Sequence, residues 1–425
     1  MKILHLIHQY LPADVGGTEL YTRQLSTELA ARGHQVHVFY RQPASAAHQA
    51  GESSLTLRQD PGGVQVRAAY AGSVQPARRF LDTFGQQALS RMFGETLAQV
   101  QPDLVHIQHM MGLPASLVRQ LQQLGIPYLI TLHDYWWICS NAQLVTNYSG
   151  ELCNGPRLWL NCGRCLLARA GAGQLWPLSP AVAPLPAARH LALRQVMLGA
   201  KRILPVSDSV ARRTASLGLP GDKMQVIRHG INVPPGVKQA VRQPGERLRI
   251  GYVGNLAWQK GVHVLIEAVN RLPAEAVSLV ILGDEACFPD YARDLRQGAA
   301  HPGIRFLGQI PHDDLWGHLQ EMEVLVFPSL WYEGAGLVIQ EAFATGLPVI
   351  ASDLGAIPES IRDGVDGLLF PAGDSERLAE ILTGLLEQPE IVTRLSQNIP
   401  PVRTIQQHVD EVEAVYRAMI NVSRS

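Results

Sequence analysis

The sequence predicts an α/β protein built from two doubly wound parallel sheets in tandem. Three observations carry that expectation. Short apolar runs of strand length alternate with amphipathic helical stretches in both halves of the chain. At 425 residues the chain exceeds one ordinary hydrophobic core, so two or three domains are expected. A segment of different composition, about residues 134–186, interrupts the alternation before it resumes.

Ile3 to Ile7 reads as a short buried strand, followed by Gly16 and Gly17 in a loop. A helix then runs to about Arg32, with Tyr21, Leu25 and Leu29 on one stripe and Gly33 as its stop. Val36 and Val38 mark the next strand. The polar stretch Ala44 to Gly63 is a loop or a hairpin. Asp103 to Gln108 is a strand, Leu113 to Leu124 a helix, and Pro127 to His133 another strand. The segment Asp134 to Pro186 holds four cysteines, several tryptophans and a run rich in Ala and Pro. It reads as an insertion packed on the first domain. The alternation restarts with Ile203 to Val206, followed by Leu248 to Gly254 and a helix from Val262 to Leu272. Strands Ser278 to Gly283, Ile304 to Gly308, Val324 to Pro328 and Pro348 to Ser352 complete the second sheet. That sheet is expected to begin near residue 202, after a linker at Gly199 to Lys201. The expected domains are therefore 1–200 and 201–400. A final helix, 401–425, is expected to cross back to the first domain. Two such sheets in tandem place a ligand cleft at the carboxyl ends of their strands.

Composition excludes several function classes. Net charge is −1. Residues 1–200 carry roughly +5 and residues 201–425 roughly −6 by direct count. The more basic half faces either an anionic acceptor or membrane surface, or simply solvent. No basic run is dense enough to argue for nucleic acid. No segment reaches the ~20 apolar residues that span a bilayer. The opening MKILHLIHQYLPADVGG lacks the apolar run and cleavage site of a signal peptide. A cytoplasmic protein is expected, soluble or peripheral at the inner membrane face. In such a compartment the neighbouring Cys139, Cys153, Cys162 and Cys165 suggest metal before disulfides. Cys162 and Cys165 have the CxxC spacing of a zinc knuckle. The readings that stand are a structural zinc or unliganded thiols. Cys287 is expected to be a small core residue.

The stretch Trp331 to Ser352, WYEGAGLVIQEAFATGLPVIAS, carries the sharpest chemical signal. Glu333 sits in a glycine-containing turn and Glu341 inside a short apolar helix. A turn whose amides become a helix N-terminus is an anion site, and flanking carboxylates accept hydrogen bonds from sugar or ribose hydroxyls. Two glutamates on an exposed helix are the plainer alternative. Glu341 within LVIQEAFA argues against it, because a charge among apolar neighbours needs a partner or ligand. No GxGxxG follows a strand, which argues against a nicotinamide enzyme. No acidic DxD follows an apolar strand to hold a metal on a diphosphate.

Along nearly its whole length the chain resembles the retaining glycosyltransferases of family 4, also called glycosyltransferase group 1. The resemblance runs through GGTELYTRQLSTELAARGHQVHVF, TLHDYWWIC, PVSDSVARR, VIRHGIN and GYVGNLAWQKGVHVLIEAV. It ends with ILGDE, VFPSLWYEGAGLVIQEAFATGLPVIASDLGAIPE and DGLLF. It implies the GT-B fold: two Rossmann-like, doubly wound parallel-sheet domains facing across a cleft. It also implies transfer of a hexosyl unit from a nucleoside diphosphate sugar to an acceptor hydroxyl, with retention at the anomeric carbon. No catalytic cofactor or metal is implied.

By this resemblance Glu333 contacts the donor sugar hydroxyls and Glu341 holds the ribose. The amides of Gly336 and Leu337 face the diphosphate, and Lys260 neutralises it as it leaves. Gly16 and Gly17 close over the donor phosphates. His133 bonds the donor sugar or stabilises charge at the reacting carbon. Asp134 orients His133, meets the acceptor, or merely caps a turn. His106 and His109 are cleft or core residues.

The chain departs from the family pattern at several positions. Asn255 stands where many members carry a phosphate-binding arginine, so Lys260, Arg228 or another arginine has to supply that charge. His229 stands where asparagine is usual. Ala335 and Ala356 differ as well. The resemblance further implies a sugar or lipid-linked acceptor, met through the first domain near Trp136 and Trp137, with peripheral membrane contact and a role in polysaccharide or glycolipid synthesis. Two rivals share the fold: a sugar-nucleotide 2-epimerase and a non-catalytic nucleotide-sugar-binding scaffold.

Overall fold

The structure is a computed structural model that describes residues 1–12, 16–43, 53–72, 80–241 and 243–424. It divides into two compact units: residues 1–230 with 405–425, and residues 231–404.

The first unit holds seven strands: β1 (Lys2–Ile7), β2 (Gln35–Arg41), β3 (Ser53–Gln59), β4 (Gln65–Ala71), β5 (Leu104–Ile107), β6 (Tyr128–Leu132) and β7 (Arg202–Pro205). Their order is β3-β4-β2-β1-β5-β6-β7. Every neighbouring pair is parallel except β3 and β4. β1 lies in the middle, and Ile3, Leu4, Leu6 and Ile7 are fully buried. A strand covered on both faces requires such a near-continuous apolar run. The helix Gly17–Ala31 buries Tyr21, Leu25 and Leu29 against this sheet. The final helix, Ile405–Arg424, adds Val409, Val412, Tyr416 and Met419 to the same core.

One expectation is corrected here. The strand Arg202–Pro205, expected to open the second sheet, is the edge strand of the first and pairs with Leu129–Leu132. Helix Pro184–Gly199 is therefore the crossover between β6 and β7, and Gly199 to Lys201 is no linker. Alternating strands and helices reveal a parallel sheet but not which of two sheets a strand joins. The polar stretch 44–63 lies partly outside the described residues. Its described end, β3, forms a hairpin with β4.

The second unit holds β8 (Leu248–Val253), β9 (Val277–Leu282), β10 (Ile304–Gly308), β11 (Val324–Phe327), β12 (Val349–Ser352) and β13 (Gly367–Phe370). All run parallel, in the order β10-β9-β8-β11-β12-β13. Chain winding reverses between β8 and β11, which makes the carboxyl ends of those two strands the topological switch point where ligands bind in open α/β sheets. The loops there are Gly254–Gly261 and Pro328–Gly336. Apolar clusters cover both faces, Val262, Leu265 and Val269 on one and Ile339, Ala342 and Phe343 on the other. Among the described residues no helix is long and apolar enough to cross a membrane.

Candidate active site

In the second unit the two switch-point loops meet. Lys260 ends a single 3-10 turn, Trp258–Lys260, after β8. Gly261 then takes φ +70°, and a Cβ there would lie 1.9 Å from the carbonyl oxygen of Pro328. Only glycine lets the first loop pack this closely on the second. The contact is fixed by Leu330 N donating to Gln259 O at 2.8 Å.

The closure brings Lys260 Nζ to 2.7 Å from Glu333 Oε1. The same oxygen accepts from Ser329 Oγ and Trp331 Nε1, both at 2.7 Å. Glu333 is 5 % exposed, so its charge needs these donors. All three donors converge on Oε1, and none of them engages Oε2. Lys260 Nζ also lies 5.2 Å from the Trp331 ring centre, a cation–π contact.

Gly336, at φ +61°, caps the helix Leu337–Ala344 and turns the chain from the glutamate loop into it. Glu341 lies one face further along and is buried. Its Oε1 accepts from His312 Nε2 at 2.7 Å. His312 follows β10 and was not anticipated; nothing in IPHDDL distinguishes it from a surface histidine. Ser329 and Trp331 were missed as well, although they flank Glu333 in sequence. Asn255 is exposed, with its backbone oxygen accepting from Tyr252 Oη at 3.0 Å.

The first unit gathers a different set. His133 follows β6, and its Nε2 donates to Gln108 Oε1 at 3.0 Å. Gln108 Nε2 in turn donates to His5 Nδ1 at 3.1 Å. One amide thus links a strand-end histidine to a buried one on β1. His106 lies between Tyr416 Oη at 2.6 Å and Thr131 Oγ1 at 2.7 Å, which makes it a core residue. Burial lowers the pKa of His5 to about 3 and pushes His106 well below the ordinary histidine value. Burial, with His109, His106, His8 and His408 as neighbours, does the same to His133. These rings are neutral at pH 7 and can donate and accept at once. Tyr21 stacks on His229 with ring centres 4.1 Å apart and meets His133 edge-on at 5.1 Å. The unusual His229 is thus part of the histidine cluster.

Asp134 does not orient His133. Its Oδ1 accepts from Trp136 N at 2.8 Å, a turn cap, and its carboxylate lies 3.2 Å from His109 Nε2. Arg228, a candidate substitute for the missing phosphate arginine, is ion-paired with Asp208. Gly16 caps the helix Gly17–Ala31, and a Cβ there would lie 2.5 Å from Glu19 Oε2. Residues 13–15 of that loop lie outside the described residues.

Cys139, Cys153, Cys162 and Cys165 are free thiols around one cavity of about 30 Å³. Burial raises Cys162 to about 12 and Cys165 to about 11. Among the described residues no group of three or more His, Cys, Asp or Glu side chains is placed to hold a metal ion. The zinc expectation thus lacks a formed ligand set, because thiolates have to close to about 2.3 Å around one point. Cys287 is exposed, contrary to expectation; its Sγ donates to Asp284 Oδ2 at 3.0 Å.

Two parallel-sheet α/β units, one with a lysine–glutamate pair at its switch point, define a glycosyltransferase of the GT-B architecture. The comparisons agree. Sucrose-phosphate synthase from Thermosynechococcus elongatus superposes with a TM-score of 0.74 at 18 % identity, covering 99 % of this chain and 100 % of that one. Anabaena HepE in complex with UDP and glucose superposes at 0.68 with 16 % identity, covering 98 % and 100 %. A glycogen synthase of Mycobacterium tuberculosis is 28 % identical over 406 residues, 93 % of this chain and 88 % of its own. A D-inositol 3-phosphate glycosyltransferase of Nocardia farcinica is 26 % identical over 403 residues, covering 90 % and 79 %. The model of Glycosyltransferase Family 4 matches residues 15–233, and that of Glycosyl transferases group 1 matches 247–388. The chain belongs to glycosyltransferase family 4.

Proposed function

We propose that the chain moves a hexosyl unit from a nucleoside diphosphate sugar to an acceptor hydroxyl with retention, in polysaccharide or glycolipid synthesis. The observation that carries this reading is Glu333: one carboxylate oxygen is saturated by Lys260, Ser329 and Trp331, leaving Oε2 to accept from donor sugar hydroxyls. Lys260 stands beside it as the cation for the departing diphosphate, together with the amides of Gly336 and Leu337 at the helix start. Glu341, steadied by His312, takes the ribose hydroxyls, with Asn255 and the Gly16–Gly17 turn as further donor contacts.

The chemistry balances within the substrates. The bond from the anomeric carbon to the diphosphate oxygen breaks, and the acceptor oxygen bonds to that carbon on the same face. The acceptor proton passes to the leaving diphosphate. Neutral His133, held by Gln108, hydrogen-bonds the sugar at the reacting centre, and Asp134 lies on the acceptor side. Solved structures of similar fold in complex with UDP, UDP-glucose or ADP support a nucleotide donor.

The test is turnover of a panel of labelled nucleotide sugars against membrane extracts. One donor transferred by the native chain and lost in Lys260→Ala, with the fold intact, supports the reading. Equal transfer by both overturns it. The finer placement is a cytoplasmic enzyme, peripheral at the inner membrane face. A structural zinc on the four thiols is a separate proposal that rests on the spacing of Cys162 and Cys165, since no metal-holding group is formed among the described residues. It predicts about one zinc per chain by metal analysis, and native titration of all four thiols overturns it.

A further inference from the structure

The terminal helix, Ile405–Arg424, follows the second unit in sequence but packs as part of the first. It carries His408, which is buried. His408 Nδ1 lies 2.9 Å from the backbone oxygen of Arg228, and its Nε2 lies 2.8 Å from Tyr21 Oη. A carbonyl oxygen only accepts, so Nδ1 carries the proton. Nε2 of the neutral ring then accepts from the tyrosine hydroxyl. One imidazole therefore ties the Tyr21 hydroxyl to a fixed point on the backbone.

Tyr21 carries this tie into the candidate site. Its ring stacks on His229 with planes 23° apart and meets His133 edge-on, ring centres 5.1 Å apart. His229 itself lies 5.2 Å from His133. His133 is partly exposed, and Gln108 Oε1 holds its Nε2. One hydrogen bond at the tip of an imidazole fixes a point but not the plane of the ring. The edge of Tyr21 and the ring of His229 supply the second constraint. The terminal helix also reaches the same sheet through Tyr416, whose Oη lies 2.6 Å from His106 Nδ1. His106 and Gln108 are two residues apart and so lie on one side of that sheet.

We propose that His408 is a positioning residue for the transfer reaction. It acts through the Tyr21 hydroxyl, which anchors the aromatic edge against which the His133 ring is set. This rests on the reading of His133 at the reacting carbon given above. It adds that a helix far along the chain sets the geometry there.

The test measures kcat and donor KM for the full chain carrying Tyr21→Phe, His408→Asn, both together, or His408→Gln. Tyr21→Phe keeps the ring and removes only the hydroxyl. Asparagine keeps a polar group near the Nδ1 position, whereas glutamine keeps an acceptor near the Nε2 position. Tyr21→Phe and His408→Asn are each expected to lower kcat by about tenfold or more at unchanged donor KM, the effect of a displaced reacting group. The double variant loses no more than either single one, because both break the same link. His408→Gln recovers most of the rate. A native rate in Tyr21→Phe, or losses that add in the double variant, overturns the proposal. A second readout does not depend on transfer: the ring nitrogen–proton spectrum of histidine-labelled protein, with the His133 signal identified by its absence in His133→Gln. That signal is expected to move in Tyr21→Phe and His408→Asn and to return in His408→Gln. An unmoved signal, with transfer still lost in Lys260→Ala, sinks the positioning claim alone. A moved signal in a chain that transfers no donor sinks the transferase reading instead.

Discussion

The residue clusters gathered in the two units handle buried polarity in different ways. In the second, buried carboxylates are kept and given partners: Lys260 for Glu333, and His312 for Glu341. In the first, the ring cluster around His133 is held neutral, although the same unit buries an ion pair elsewhere, Arg41 with Asp82. His5, His106 and His133 are held neutral by burial and meet an amide, a hydroxyl and a phenol, with His5 Nε2 left without a hydrogen-bond partner among the described residues. Under the proposed function the second unit receives a diphosphate, which needs a fixed cation and anchored acceptors. Under the same proposal the first meets sugar hydroxyls at a reacting carbon, where neutral groups that donate and accept suffice. The contrast predicts that the second unit responds to loss of charge and the first to loss of a hydrogen-bond partner or to a change in pH.

The largest expected effect is Lys260→Ala, which should lower transfer by about 10²–10³-fold, the scale for removing one charge-stabilising group. Circular dichroism should be unchanged, because Lys260 is partly exposed. Nearly unaltered transfer would remove the cation from the account. Next is Gln108→Leu, which leaves His5 Nδ1 and His133 Nε2 without their shared partner. It should destabilise the protein by about 1–3 kcal/mol in denaturant unfolding, with a loss of transfer at fixed donor affinity. An unchanged midpoint would contradict the relay.

A smaller effect follows from pH. The folded chain holds His5, His37, His106 and His133 below the ordinary value near 6.5. Below that value the unfolded chain binds more protons than the folded one. Stability from these groups is therefore present above about pH 6.5 and is lost as pH falls toward their folded values. The slope is at most about 1.4 kcal/mol per pH unit for each histidine. Unfolding midpoints at pH 7.5 and 5.5 check the sign. The smallest effect is His312→Gln, which should raise the donor KM by up to about tenfold with little change in kcat, since this pair is partly solvated.

The same contrast decides what was legible in the sequence. The proposed donor side is built from two loops, with Glu333, Gly336 and Glu341 in one short stretch and Lys260 directly before its glycine. Local motifs therefore pointed to these residues together. The histidine cluster draws on β1, β5, β6, the helix Gly17–Ala31, His229 and the terminal helix. No local pattern in the chain marks His5, Gln108 and His133 as neighbours. The strand Arg202–Pro205 was misassigned for a related reason: its partner, Leu129–Leu132, lies beyond an insertion. His312 was missed because its role depends on a helix met only after folding.

The most direct test is the transfer rate of the native chain and Glu333→Gln at saturating donor, with nucleotide binding measured in parallel. The amide keeps the size of the side chain and an acceptor for Ser329 and Trp331, but loses the charge facing Lys260. The account predicts retained nucleotide binding and transfer reduced by about 10²-fold or more. Equal rates in the two proteins would contradict it.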